Sequence, residues 1–246
     1  MNNDVQTVTG NLPNTLASNI GTYDRITPNT WKWALLFAYF AMVVDGVDIM
    51  LLSYSLTSLK ADFGLSTFQA GALGSASLAG MGIGGILGGW ACDKFGRVRT
   101  IAHSVTFFSI ATCILGFTQT FEQFMVLRFI GALGIGALYM ACNTLMAEYV
   151  PTSYRTTVLG TLQTGQTVGY IVATLLAGAI IPEHGWRMLF FIAIIPVIMA
   201  VLMQILVPEP AAWQQARLQP IQNNEQPKES AFKLIFQDKR NRNMFI

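Results

Sequence analysis

Three ionisable residues lie inside long apolar stretches of this sequence. Asp45 and Asp48 stand three positions apart in one stretch, so a helix places both on the same face. Arg128 lies near the start of another apolar stretch. Charged groups within a lipid bilayer are costly and mark functional sites by default. We therefore take these three residues as candidate proton-coupling residues.

The chemistry of such a site follows from its removal from water. A buried carboxyl group favours its protonated form, whereas a neighbouring guanidinium favours the carboxylate. The protonation state therefore depends on whether an arginine or a substrate lies beside the carboxyl group. Two carboxylates one turn apart also repel each other, which favours a proton on one of them. The alternative is a fixed ion pair that only sets how the helices pack.

A second group of polar side chains lies at helical spacing in two later apolar stretches. Hydrogen-bond donors and aromatic rings around a cavity suit a flat organic acid. Polar residues in membranes equally often form hydrogen bonds between helices. With both interpretations open, the candidate substrate-binding residues are Tyr139, Asn143, Gln163, Gln166 and Tyr170.

Six stretches are long and apolar enough to cross a bilayer, which takes about 20 residues. The chain of 246 residues is 52% hydrophobic and 11% charged, whereas soluble domains carry about 25% charged residues. The apolar runs are continuous rather than alternating, which favours helices over strands. We predict an all-α membrane protein with six transmembrane helices, near Trp33–Leu56, Ala70–Ala91, Thr100–Phe117, Phe124–Ala147, Val158–Ile181 and Met188–Val207.

The estimated depths of the three charged residues in the membrane are similar. At the usual rise per residue, Asp45 lies about 18 Å and Asp48 about 22 Å from the membrane edge near Trp33. The fourth span enters from the opposite side of the membrane, and Arg128 lies about 6–8 Å below the edge on that opposite side. In a hydrocarbon core about 30 Å thick, Arg128 is then level with Asp48 and about one turn from Asp45. An ion pair between the first and fourth spans is geometrically available.

Lysine and arginine residues lie mainly on one side of the predicted spans. Twelve share that side, two (Lys60 and Arg187) lie on the other, and Arg128 lies within a span. Because cytoplasmic loops carry an excess of these residues, both ends of the chain are predicted to be cytoplasmic. The predicted organisation is a tail at 1–30, a six-helix bundle at 31–208, and a central linker at 209–246 that ends in the start of a truncated seventh helix.

Two short predicted turns on that side carry charged residues. Glycine permits a tight turn, and the charges can bind helix ends. Taken alone, each turn is equally compatible with an ordinary solvated loop. The candidate gating residues are Gly89, Asp93, Lys94, Gly96, Arg97 and Arg99 in the first turn, and Glu148 and Arg155 in the second.

Together these motifs resemble the major facilitator superfamily over about residues 31–246. The first turn matches the family's loop between helices two and three, although Val98 stands where a basic residue is usual. The other matching residues are Arg128 with Gly134 and Gly136, then Glu148, Pro151 and Arg155, and finally Gly185, Trp186 and Arg187. The resemblance implies a twelve-helix fold, of which this chain would supply the N-terminal half and would need a C-terminal half as partner.

Within that superfamily, the sequence from Asp45 to Asp48 is similar to the first-helix motif of the aromatic acid:proton symporters. These carry benzoate, muconate and related acids across the bacterial inner membrane. The resemblance implies proton coupling through Asp45 and Asp48, with Arg128 near the charge site. The segment from Ile49 to Thr57 departs from many members, which leaves the substrate open between benzoate and cis,cis-muconate. The glycine–proline motif of the superfamily's antiporters is absent from residues 158–181, which argues against a drug:proton antiporter.

Three alternatives remain beside uptake of a small organic acid with protons. The chain could belong to a carrier of another metabolite, such as a sugar or polyol. It could be a non-transporting fragment. It could be a membrane enzyme, but the sequence shows no spaced ligand cluster for a metal and no nucleophile with a base. We predict no cofactor, no metal, no nucleic-acid partner, and a packing role for Cys92, Cys113 and Cys142.

Overall fold

The computed structural model describes residues 30–210 and Trp213. The predicted tail and nearly all of the predicted linker, with its seventh helix, lie outside the described residues. The described part is helical throughout. Its helices are α1 (Thr30–Phe63), α2 (Thr67–Phe95), α3 (Arg97–Leu115), α4 (Phe121–Tyr149), α5 (Arg155–His184), α6 (Trp186–Ile192) and α7 (Pro196–Leu206).

Six membrane-spanning segments were predicted, and six are found by length and composition among the described residues. The sixth span, predicted near Met188–Val207, runs from Trp186 to Leu206. It is divided into α6 and α7 by a turn at residues 193–195. Pro196, at the start of α7, lacks the N–H group that would bond the Ile192 carbonyl group in a continuous helix. Helix α5 also runs to His184, so Pro182 lies within its last turn rather than after its end.

Glycine forms two of the tight connections between helices. Gly96, with φ of 104°, separates α2 from α3, and Gly185, with φ of 74°, separates α5 from α6. These positive φ values are strained for residues that carry a β-carbon. The connection from α1 to α2 instead ends in a capping box, in which Ser66 and Gln69 satisfy each other's backbone N–H groups.

The helices of two pairs approach closely through small residues. Between α2 and α4, a β-carbon at Gly84 would overlap the Leu133 backbone, and one at Gly136 would overlap the Met81 backbone. Between α1 and α5, a β-carbon at Gly46 would overlap the Gln166 carbonyl group. Membrane helices associate without a hydrophobic driving force, so close backbone approach supplies much of the packing attraction. The pair α1–α5 thereby aligns Asp45 with α5.

The carboxyl ends of α1 and α3 lie together at one end of the bundle. The Arg187 guanidinium donates to Asp62 Oδ2 at 3.2 Å and to the Thr118 carbonyl group at 3.4 Å. Trp186 Nε1 also donates to Asp62 Oδ2, at 2.7 Å. Helix α3 therefore runs parallel to α1, and Thr112, about one turn before the end of α3, lies beside Asp48 of α1.

Candidate functional site

A buried ion pair joins α1 to α4. Arg128 Nη1 lies 2.7 Å from Asp48 Oδ2, and both side chains are 3% exposed. The depth estimate placed Arg128 level with Asp48, and the structure contains this pair. Removing one partner of such a pair leaves an uncompensated charge, which costs about 3–5 kcal/mol.

Two hydroxyl side chains complete the hydrogen bonds of this pair. Thr112 Oγ1 of α3 donates to Asp48 Oδ1 at 2.7 Å, and Arg128 Nε donates to Ser77 Oγ of α2 at 3.1 Å. Arg128 Nη2 also donates to the Asp48 carbonyl group, at 3.4 Å. We call Asp48, Ser77, Thr112 and Arg128 the ion-pair cluster; it draws one residue from each of α1 to α4. Ser77 and Thr112 were not predicted, because lone hydroxyl residues are common in membrane helices and carry little signal.

Asp45 has different neighbours, although it lies only one turn from Asp48. Its side chain is fully buried, and its Oδ2 atom accepts a hydrogen bond from Gln166 Nε2 of α5 at 3.0 Å. The Oδ1 atom is buried and has no hydrogen-bond partner among the described residues. The two carboxyl groups therefore differ in kind: Asp48 is held by an arginine, and Asp45 by a neutral amide.

The five candidate substrate-binding residues do not form one network. Gln163 Nε2 donates to Asn143 Oδ1 at 3.1 Å, and Asn143 Nδ2 donates to the Tyr139 carbonyl group at 2.8 Å. Gln166 instead bonds Asp45, and Tyr170 lies half-buried one turn further along α5. None of the hydrogen bonds among these five residues reaches Arg128 within the described part of the chain. The predicted group of substrate-binding residues is thus divided between the Asp45 site and a separate Asn143–Gln163 amide pair.

Tyr139 also lines an open groove of about 470 Å³ between α2 and α4. The groove is almost wholly apolar, and its other lining residues are Met81, Gly82, Gly85, Ile86, Gly136 and Met140. It contains no charged side chain. Apart from Tyr139, its lining residues have no side-chain hydrogen-bond donor that would orient a carboxylate.

A second arginine cluster lies where α2 and α4 end and α3 begins. Arg97 Nη2 lies 2.8 Å from Glu148 Oε1 and 3.2 Å from Asp93 Oδ1. Arg97 Nη1 donates to the Cys92 carbonyl group at 2.8 Å. We call Asp93, Arg97 and Glu148 the loop cluster. It brings together charged residues from both predicted turns.

The other candidate gating residues lie around this cluster. The Lys94 ammonium group lies 4.6 Å from the centre of the Trp90 ring, and Arg99 is exposed. Gly89 adjoins open space. Arg155 is half-buried, and its Nε atom has no hydrogen-bond partner among the described residues. These residues thus share the region but not the hydrogen bonds of Arg97.

Glu209 is a functional candidate that the sequence did not reveal. Its Oε1 atom accepts from the Arg99 N–H group at 2.9 Å, and its Oε2 atom from the Val98 N–H group at 3.1 Å. Burial raises the pKa of the Glu209 carboxyl group, and the α3 backbone N–H groups oppose this shift. Glu209 had been assigned to the linker, and only the return of the chain to the start of α3 shows its role as a cap.

Among the described residues, no three His, Cys, Asp or Glu side chains are placed to hold a metal ion. The three cysteines are free thiols, and Cys92 and Cys142 are buried in the helix packing. Their positions agree with the packing role predicted for them.

The family model of the Major Facilitator Superfamily matches residues 38–245. The chain belongs to this superfamily. A cis,cis-muconate transport protein of Acinetobacter baylyi is 71% identical over 222 residues, which are 90% of this chain and 54% of that protein. A benzoate transport protein of the same organism is 28% identical over 190 residues, 75% of this chain and 41% of that protein. The chain thus spans about half the length of these curated relatives.

A solved structure of the superfamily has the same arrangement of helices. It is a bacterial homologue of the human lysosomal transporter Spinster, in an inward-facing and unoccupied conformation. The TM-score is 0.69 at 23% identity, over 75% of this chain and 44% of that one. This likeness concerns the fold alone. The predicted superfamily is confirmed, and the relatives described here are transport proteins rather than enzymes.

Proposed function

We propose that this chain supplies half of a bacterial inner-membrane transporter that carries a small organic acid together with protons. The observation that supports coupling most directly is the buried ion-pair cluster. Asp48 and Arg128 lie within their membrane spans, and their hydrogen bonds are completed by residues from two further helices. Buried ionisable groups in membrane helices are characteristic of ion and proton pathways.

The substrate class is supported by similarity and by the chemistry of the half-buried amides. The 71% identical relative is named for cis,cis-muconate transport. Muconate carries two carboxylates on a flat chain, and amide N–H groups such as those of Asn143, Gln163 and Gln166 are suitable donors for them. We therefore place cis,cis-muconate first among the substrates to be tested, and benzoate second.

The mechanism that we propose is alternating access. The six-helix half rocks against a second half around a site near the middle of the membrane. Asp45 and Asp48 take up and release the proton, and Arg128 adjusts the balance between their charged and neutral forms. The loop cluster holds the cytoplasmic side closed until Arg97 leaves Glu148. Both ends of this chain lie in the cytoplasm in this scheme.

Uptake of labelled muconate into cells tests this proposal. We would join this chain to the part of the Acinetobacter relative that it does not cover, and measure uptake with and without a proton uncoupler. We expect uptake by the joined protein that the uncoupler abolishes, and none by the six-helix chain alone.

The matched control is the same joined protein with Asp48→Asn. Full uncoupler-sensitive uptake by this variant would contradict the role given to Asp48. Uptake of neither acid by the unmodified joined protein would contradict the substrate class, and a panel of labelled sugars and polyols would then separate the remaining carriers.

A further inference from the structure

The crossing of α1 and α5 places one amide against Asp45. Gly165 and Gly169 flank Gln166 on α5, and β-carbons there would meet the backbone of α1 at Tyr39 and Val43. Gly46, next to Asp45, meets the Gln166 backbone in return. With no side chains between the two backbones, the position of Gln166 relative to Asp45 is set by helix packing rather than by a flexible contact.

Gln166 is the hydrogen-bond donor of Asp45 in the described part of the chain. Its Nε2 atom lies 3.0 Å from Asp45 Oδ2, while Asp45 Oδ1 is buried without a partner. The charged groups near Asp45 are Asp48 on its own helix and Arg128 on α4; the Cys142 thiol of α4 is the other titratable neighbour. All three nitrogen atoms of Arg128 bond other partners, namely Asp48 and Ser77.

Gln166 is also open on its other side. Its side chain is half-buried, as are those of Gln163 and Tyr170 on the same face of α5, whereas Asp45 is fully buried. A molecule that reaches this face therefore meets the Gln166 amide before it meets Asp45. The Gln166 amide nitrogen carries two N–H groups. If the Gln166 side chain rotates to donate to a bound carboxylate, the amide moves away from Asp45 and its hydrogen bond to Asp45 is lost.

We propose that Gln166 is the positioning residue that links substrate binding to the protonation of Asp45. This inference rests on the proposed function. The carboxylate of the bound acid takes the Gln166 amide, and Asp45 loses its hydrogen bond. A hydronium ion then transfers its proton to an Asp45 carboxylate oxygen and leaves as water; one O–H bond breaks in the hydronium ion, one forms on Asp45, and no other covalent bond changes. By linkage, a proton on Asp45 releases the amide and strengthens acid binding by the same factor.

Transport by the joined protein described above tests this link. Gln166→Met keeps the size of the side chain and removes the donor. We expect weaker muconate binding, exchange of labelled for unlabelled muconate at saturating concentration without a proton gradient, and proton-driven accumulation lowered by roughly tenfold, within the range usual for coupled sites. Thr161→Val, on the same helix, is the matched control: its hydroxyl group donates to the Thr157 carbonyl group, so it should keep both exchange and uncoupler-sensitive accumulation.

A second measurement holds even if Gln166→Met fails to fold. Muconate binding to the purified joined protein, in weak buffer with a pH indicator, should take up protons, at most about half a proton per acid bound for a tenfold coupling. Wild-type exchange and accumulation without proton uptake on binding would overturn the role of Gln166 and leave the proposed function intact. Wild-type coupling in Gln166→Met, or its loss in Thr161→Val as well, would also overturn it. No muconate transport by the wild type would instead refute the proposed function.

Discussion

The two arginine clusters use the same chemistry in different surroundings. In the ion-pair cluster, Arg128 and Asp48 are each 3% exposed, and every nitrogen of the guanidinium has an acceptor. In the loop cluster, Arg97 is 11% exposed, but Glu148 is 23% and Asp93 78% exposed. Water can therefore replace partners of Arg97 and cannot easily replace those of Arg128.

This difference supports the separate roles that we propose for the two clusters, proton coupling for the ion-pair cluster and gating for the loop cluster. A buried pair is costly to break because each ion would remain out of water, so its partner changes only when another charge or a proton takes over. A pair at the end of a helix bundle can exchange with water at small cost. The first arrangement suits coupling to a proton or an acid, and the second suits a contact that opens and closes.

The largest expected effect is that of Arg128→Leu. The change leaves Asp48 buried without its cation, and we expect a loss of about 3–5 kcal/mol of stability. Thermal unfolding in detergent measures it. The double variant Arg128→Leu with Asp48→Leu should recover most of the loss, because no uncompensated charge remains. Equal stability of the single and double variants would mean that the pair is not buried as described.

Arg97→Ala should have a smaller effect. The variant loses the contacts to Glu148, Asp93 and the Cys92 carbonyl group, and hydrogen bonds to charged groups contribute about 1.5–3 kcal/mol. The matched control is Asp93→Asn, which changes the exposed partner and should cost about 0–1 kcal/mol. Raised salt should weaken the Asp93 contribution further. If Asp93→Asn destabilised the protein as much as Arg97→Ala, the division of the loop cluster into buried and exposed partners would be wrong.

Thr112→Val tests whether the ion-pair cluster needs its hydroxyl groups. The change removes the donor to Asp48 Oδ1 at constant shape, and we expect a loss of about 1–3 kcal/mol because a buried charged acceptor remains unsatisfied. Thr106→Val on the same helix is the control, since its hydroxyl bonds only the Ala102 carbonyl group. Unfolding temperatures of the two variants should differ clearly; identical values would remove Thr112 from the cluster.

The smallest expected effect concerns Glu209, which lies near the loop cluster at the start of α3. Its pKa is raised by burial above the usual 4.5, so the folded protein holds this proton at pH values where the unfolded chain has released it. Stability should therefore fall as pH rises through the window above 4.5. Glu209→Gln lacks this dependence. Unfolding curves of both proteins at several pH values should converge at low pH if Glu209 is protonated there; a wild type that gains stability relative to the variant as pH rises would contradict the sign.

The sequence alone determined the class of the protein and the residues that carry charge into the membrane. Continuous apolar runs predict helices that satisfy their own backbone groups, and the motifs in the charged turns between them carry the resemblance to the superfamily. Counting residues from the ends of the spans also gives the depth of Asp45, Asp48 and Arg128. Depth alone, however, does not distinguish Asp45 from Asp48, because two carboxyl groups one turn apart lie at almost the same depth.

Only the tertiary structure decided which groups meet. The rotation of each helix about its axis turns Asp48 toward Arg128 and Asp45 toward Gln166, and this rotation is set by the close contact of Gly46 with α5. The approach of Glu209 to α3 likewise depends on how the sixth span packs. These contacts join residues more than 60 positions apart, so the spacing of residues within one helix cannot predict them. They are set by how the backbones of neighbouring helices pack.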